Sequence, residues 1–208
     1  VEHLSDFGGL VRRVIAGKIY TIEAAQGAID TGKTVHPRGT GHSCMGKSIK
    51  ENAFVFTPEE QDITFKDGLV TASAATTLFD MDMFLEAKGY MLPVSPDHRT
   101  LSLGGVLSVG GFGVESIRFG GLVDHVHSMD ILTRQGNILK SVTPKNPLFY
   151  KVLCGVGGHG TILSAALRVM PRRASAVLTE VSLIDIQDYV ERVTEHLSSE
   201  LNPPLFYT

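Results

Sequence analysis

Arg38-Gly39-Thr40-Gly41-His42-Ser43 is the stretch on which the reading of this chain turns. It follows a short strand candidate, Lys33 to Pro37, and its glycines let consecutive backbone amides curl toward one anion. Two further small-residue passages work with it. Ser102 to Gly113 is nearly uncharged and can run along an extended ligand, while Gly157 to Ile162 can close the far side. The chain carries 22 glycines in 208 residues, more than the usual share of roughly 7%. Their clustering points to backbone brought close to one long ligand.

Single motifs explain less. Gly41-His42-Ser43-Cys44-Met45-Gly46-Lys47-Ser48 matches the spacing of a phosphate-binding P-loop, with Lys47 reaching the terminal phosphate of a nucleotide. A P-loop needs a buried strand before it and a sustained helix after it. Here Pro37 ends the preceding strand, and Pro58 closes a following stretch that contains Phe54, Val55 and Phe56. Gly155, Gly157 and Gly160 fit the dinucleotide fingerprint, yet a helical Tyr150 to Leu153 precedes them and a strand, Thr161 to Val169, follows. A tight turn between packed elements explains that match equally well.

The remaining pattern is α+β. Ala53 to Phe56, Gly68 to Ala72 and Thr161 to Val169 read as strands, and Val123 to Leu132 with Asn137 to Val142 as a hairpin around Arg134-Gln135-Gly136. Thr76 to Gly89 reads as an amphipathic helix, with Leu78, Met81, Phe84 and Leu85 as its stripe and Gly89 as its stop. Pro147 to Val152 reads as a short helix. A strand from Val177, a helix over Asp185 to Leu197 and a strand start at Leu205 suggest the beginning of another unit. On that helix Val190, Val193 and Leu197 would seek cover from a second copy or a second subunit.

Composition narrows the partners. With 43% hydrophobic and 20% charged residues and a net charge of −3, no basic surface advertises nucleic acid or anionic lipid. No run reaches the roughly 18 apolar residues of a membrane span, so a small molecule is the expected partner. Cys44 and Cys154 lack the spacing of a metal site and are too few for a disulfide framework. They suit a reducing compartment such as the cytoplasm, with export left open.

Together, Arg38-Gly39-x-Gly41-His42-Ser43, Leu103-Gly104-Gly105-Val106-Leu107-Ser108-x-Gly110-Gly111-x-Gly113 and Gly157-Gly158-His159-Gly160-Thr161-Ile162 resemble a known family. It is the FAD-binding (PCMH-type) domain of the vanillyl-alcohol oxidase superfamily, nearest to cytokinin dehydrogenases, and the likeness runs from about Asp6 to about Pro171. The resemblance implies two α/β subdomains, about 1–70 and 71–174, enclosing an extended FAD. Residues 175–208 would begin a substrate domain that is otherwise largely absent.

By the same resemblance, Arg38, Gly39, Thr40, Gly41 and Ser43 hold the pyrophosphate, with Lys47 at the loop's edge. His42 carries the flavin covalently at its 8α-methyl carbon. Ser102, Gly105, Ser108, Phe112, Thr161 and Ile162 fall near the cofactor. Asp97 matches the aspartate that takes a proton from the substrate as hydride passes to flavin N5. The implied function is an FAD-dependent oxidase or dehydrogenase acting on an amine or alcohol carbon. The alternative is a flavin-binding subunit or shortened relative that needs a partner chain for catalysis. Read without the family, His42 is a loop histidine donating a hydrogen bond, and Asp97 a turn former after Pro96. A carboxylate acting as base at position 97 needs burial or a close partner.

Overall fold

The computed structural model describes residues 2–173 and 185–198. The chain opens with β1 (Glu2–Ser5) and β2 (Arg12–Ile15), an antiparallel pair, followed by β3 (Gly17–Ile19) and α1 (Ile22–Asp30). Thr21 starts that helix, its hydroxyl oxygen accepting from the Ala24 amide at 3.2 Å. β4 (Val35–Pro37) and β5 (Phe54–Phe56) complete a three-stranded parallel sheet with β5 in the centre. On that sheet Ile19, Ala25 and Phe56 form a small core that Leu132 joins from a distant part of the chain.

A hairpin of β6 (Ile63–Lys66) and β7 (Leu69–Ser73) comes next. Its turn is Asp67-Gly68, both with positive φ, the geometry that two-residue hairpin loops require. The sequence reading finds β7 but passes over β6, although Asp-Gly between two apolar runs is a strong hairpin signal. α2 (Leu78–Glu86) then buries Leu78, Met81 and Leu85 completely. Thr77 caps it by accepting from the Asp80 amide at 3.1 Å, and Gly89, with φ +77°, ends the turn after it. The short β8 (Tyr90–Met91) leads to α3 (Leu103–Leu107) and α4 (Ser116–Phe119).

A buried backbone passage over Leu101 to Gly113 is what the sequence suggests, and part of it is helical. Leu103, Val106 and Leu107 repeat at helical spacing and are all buried, so packing overrides the low helix propensity of Gly104 and Gly105. β9 (Val126–Leu132) and β10 (Ile138–Val142) form the expected hairpin. Its first strand starts late because Leu122–His125 is a 3-10 turn, pinned where Asp124 accepts from the Gly121 amide at 2.7 Å. α5 (Pro147–Val152) begins with proline in its first turn behind the Asn146 cap, and β11 (Thr161–Arg168) follows. β12 (Met170–Pro171) pairs with β8.

The five-stranded antiparallel sheet runs β10-β9-β11-β7-β6. Its main core gathers Val70, Met129, Ile131 and Leu167 from the strands with Leu78, Met81, Leu85, Leu107 and Phe149 from α2, α3 and α5. At roughly 1.5–3 kcal/mol per large buried side chain, that cluster is the principal source of stability. One compact unit ends at Pro171, and a second contains α6 (Ile186–Ser198), where Val190 is exposed. The strand expected from Val177 and the one at Leu205 lie outside the described residues, as does the Leu197 side chain.

Candidate functional site

The residues after β4 form the first wall of a cleft. The Arg38 amide donates to the Phe56 carbonyl at 2.8 Å, ending the parallel ladder, and the chain then leaves the sheet. The Arg38 side chain folds beneath its own loop. Its Nη1 donates to Ser48 Oγ at 3.0 Å and its Nη2 to the Ser5 carbonyl at 3.2 Å. Gly41 has φ +86°, a conformation that strains any side chain, and a Cβ there would also come within 2.7 Å of Arg38 Nη2 and push the guanidinium aside.

Asp6 holds the other flank of the loop. It is 5% exposed and accepts from the Val11 amide at 3.1 Å and the Gly46 amide at 3.2 Å. Amide donation, from Val11 above all, keeps its carboxyl below the usual carboxylate range despite the opposing effect of burial. Asp6 opens the region of family likeness, yet its anchoring role depends on a contact with Gly46 that chain order does not reveal.

The second wall is α3. Ser102, which precedes it, is 3% exposed, and its hydroxyl oxygen has no hydrogen-bond partner. A Cβ on Gly39 would overlap that oxygen, and one on Gly105 would sit 3.0 Å from it. Two glycines thus let backbone approach a buried, unsatisfied hydroxyl closely, where any side chain would collide with it. The third wall is the turn from Gly157 to Gly160 with the first residues of β11, Thr161 and Ile162, and a Cβ on Gly157 would overlap the Pro37 ring.

Between these walls lie two adjoining cavities of ≈ 310 and ≈ 440 Å³. They share Gly39, Thr40, Ser43, Lys47, Ser102 and Gly105. The first reaches from Arg38 and Ser108 to Thr161 and Ile162, and also takes in Thr57, Pro58 and Gln61, which the sequence reading does not single out. The second reaches Gly41, His42 and Phe112, whose side chain is 66% exposed at the lip. Of the residues that the family likeness nominates, all but Asp97 therefore border one elongated cleft. Asp97 is exposed and borders neither cavity, although Pro96 beside it does.

His42 stands at one end. Its Nδ1 lies 3.0 Å from Thr40 Oγ1, its ring centroid is 5.0 Å from that of Phe7, and His98 meets it edge-on at 4.4 Å. Burial first, and the proximity of His98 second, push its pKa down, so the neutral imidazole persists to lower pH than in water. The His98 contact is absent from the sequence reading because 55 positions separate the pair.

Both rival motifs fail on context. Residues 45–48 form turns with no helix after them, and the Gly155 to Gly160 turn runs from a helix into a strand. The sequence pattern of the FAD-binding domain family matches residues 20–141. The chain belongs to that family.

FAD is accordingly the cofactor of this FAD-binding domain, and the cleft suits it: glycine-walled, elongated and holding an unsatisfied buried hydroxyl at Ser102. The chain is similar to cytokinin dehydrogenase 2 of Arabidopsis thaliana, at 34% identity over 67% of this chain and 29% of that protein. It is also similar to cytokinin dehydrogenase 10 of Oryza sativa subsp. japonica, at 26% identity over 75% of this chain and 30% of the relative. D-arabinono-1,4-lactone oxidase of Candida glabrata shares 28% identity over 72% of this chain and 30% of its own length. The chain thus spans about 30% of the length of these curated relatives.

Proposed function

We propose that this domain is the flavin-holding part of an FAD-dependent oxidoreductase that moves hydride from an amine or alcohol carbon to flavin N5, with FAD joined covalently through His42. The observation that carries the reading is His42 itself, a half-buried imidazole kept neutral at the end of a glycine-walled cleft. A neutral ring nitrogen is a nucleophile, and the Thr40 hydroxyl beside Nδ1 fixes the ring's orientation. FAD supplies the hydride acceptor when bound, while this chain binds and orients it. Arg38, Gly39, Thr40, Gly41 and Ser43 would hold the pyrophosphate, Lys47 would add charge at the loop's edge, and Ser102 Oγ would gain the partner it lacks.

Asp97 would take the substrate's proton, and its exposure supports a second reading in which catalysis needs further protein over this loop. That cover would come from a partner chain or from protein corresponding to the part of the relatives that the match does not reach.

The test is an absorbance spectrum of purified protein before and after acid precipitation. Flavin bands retained in the pellet, and lost from it in His42→Ala, are the expected result. Bands released into the supernatant by the unaltered protein would remove His42 as the covalent anchor and leave FAD as a dissociable cofactor.

A further inference from the structure

Another cavity, of ≈ 280 Å³, shares Gly157, Gly160 and Thr161 with the FAD cleft, so the same turn forms part of both walls. Its remaining walls come from the end of α1 and the segment after it, from β4, from Lys50 ahead of β5 and from the end of β9 with the residues that follow. The FAD reading assigns it nothing.

Its charge is unlike that of the chain as a whole. The sequence has 22 acidic against 19 basic residues, yet Lys33, Lys50 and Arg134 line this cavity and no carboxylate does. Among the described residues none of those three forms an ion pair with a carboxylate. All three are exposed, so water screens their mutual repulsion, and an anion entering the cavity meets positive charge that no carboxylate of its lining offsets. Arg134 is the fixed member of the set. Its Nη1 donates to the Gly158 carbonyl at 3.0 Å, which holds the guanidinium at the turn and leaves other N–H groups of its planar fork for a ligand.

His36 also lines this cavity. Its Nε2 donates to the Lys47 carbonyl at 3.0 Å, and its pKa is lowered first by burial and then by Lys50, Arg13 and Arg134. The histidine is therefore a neutral member of the wall, and the positive charge belongs to the lysines and the arginine.

We propose that this cavity binds a phosphate monoester, a phosphoryl group held by Arg134, Lys33 and Lys50 with a small organic body in the remaining space. A guanidinium fork with two mobile ammonium groups matches a tetrahedral oxyanion with several acceptor oxygens. The hydroxyl-bearing Thr34 and Thr133, also in the wall, suit a polar body. Because Gly157, Gly160 and Thr161 are shared with the cleft, a ligand here would rest against the turn that borders FAD.

The experiment is calorimetric titration of the FAD-loaded full chain with glycerol 3-phosphate, inorganic phosphate and chloride at constant ionic strength. Loading with FAD fills the first cleft, so its own phosphate-binding loop does not contribute. Saturable binding of glycerol 3-phosphate, tighter than inorganic phosphate and absent for chloride, is the expected result. In the double variant Lys33→Glu/Lys50→Glu affinity should fall at least tenfold. The charge-matched control Lys66→Glu/Lys140→Glu should change it less than twofold, with FAD content the same in both proteins. Equal losses in both variants would overturn the proposal, as would a response to chloride or binding seen only without FAD. Inorganic phosphate binding as tightly as the ester would overturn the ester assignment.

Discussion

In α2 three side chains, Leu78, Met81 and Leu85, are sealed completely from solvent, whereas over residues 38–48 only Gly46 and Ser48 are buried. The helix belongs to a continuous apolar core under the five-stranded sheet. The loop is held instead by a few directed contacts: Arg38 to Ser48 and Ser5, and Asp6 to the amides of Val11 and Gly46. Apolar burial is non-directional and additive over many atoms, so it sets global stability. Hydrogen bonds contribute little net energy each but fix direction, which is what a cofactor loop needs. The two regions should therefore fail differently.

The largest effect falls in the core. Leu85→Ala removes a completely buried side chain from the main cluster and should cost about 2–5 kcal/mol in urea denaturation. The FAD affinity of the fraction that remains folded should stay the same. A variant of undiminished stability with weakened FAD binding would erase the distinction between core and cleft.

Ser102→Ala should do the reverse. Removing a buried hydroxyl that has no partner relieves an unmet hydrogen bond, so the FAD-free protein should gain up to about 1 kcal/mol while FAD binds roughly tenfold more weakly. Thermal melts with and without FAD would measure both, and a loss of stability in the FAD-free form would show that Ser102 serves the fold instead.

The smallest effect is acid loosening of the loop. The Asp6 carboxyl titrates below its ordinary value in the folded protein, so its contribution to stability is present above about pH 4 and is lost as pH falls through the lowered pKa. Protection of the Val11 and Gly46 amides, referred to the intrinsic exchange rate at each pH, should fall over that interval while amides of β11 stay protected, and in Asp6→Asn the acid-dependent step should vanish. Protection that falls together in loop and sheet would mean that the two regions open as one unit.

Local features were legible in advance where neighbours in the chain decide them. α5 with its proline start, α2 with its stripe, β11 and the β9–β10 hairpin all follow from spacing and turn chemistry. The cofactor loop was equally legible, because Arg38 to Ser43 contains both the glycines that bend it and the histidine that it presents. Leu101 to Gly113 reads as a buried backbone passage, and burial of Leu103, Val106 and Leu107 on one side makes part of it α3.

The sequence by itself determined the α+β class, the glycine passages and, through them, the FAD-binding family to which the chain belongs. Tertiary structure alone decided that His98 lies against His42, that Asp97 faces solvent, that Ser102 meets Gly39, and that Lys33, Lys50 and Arg134 surround one cavity. The physical reason is range. A turn or a helix stripe is fixed by energies among residues a few positions apart, whereas these contacts join segments tens of residues apart, whose meeting depends on how the sheets and helices pack.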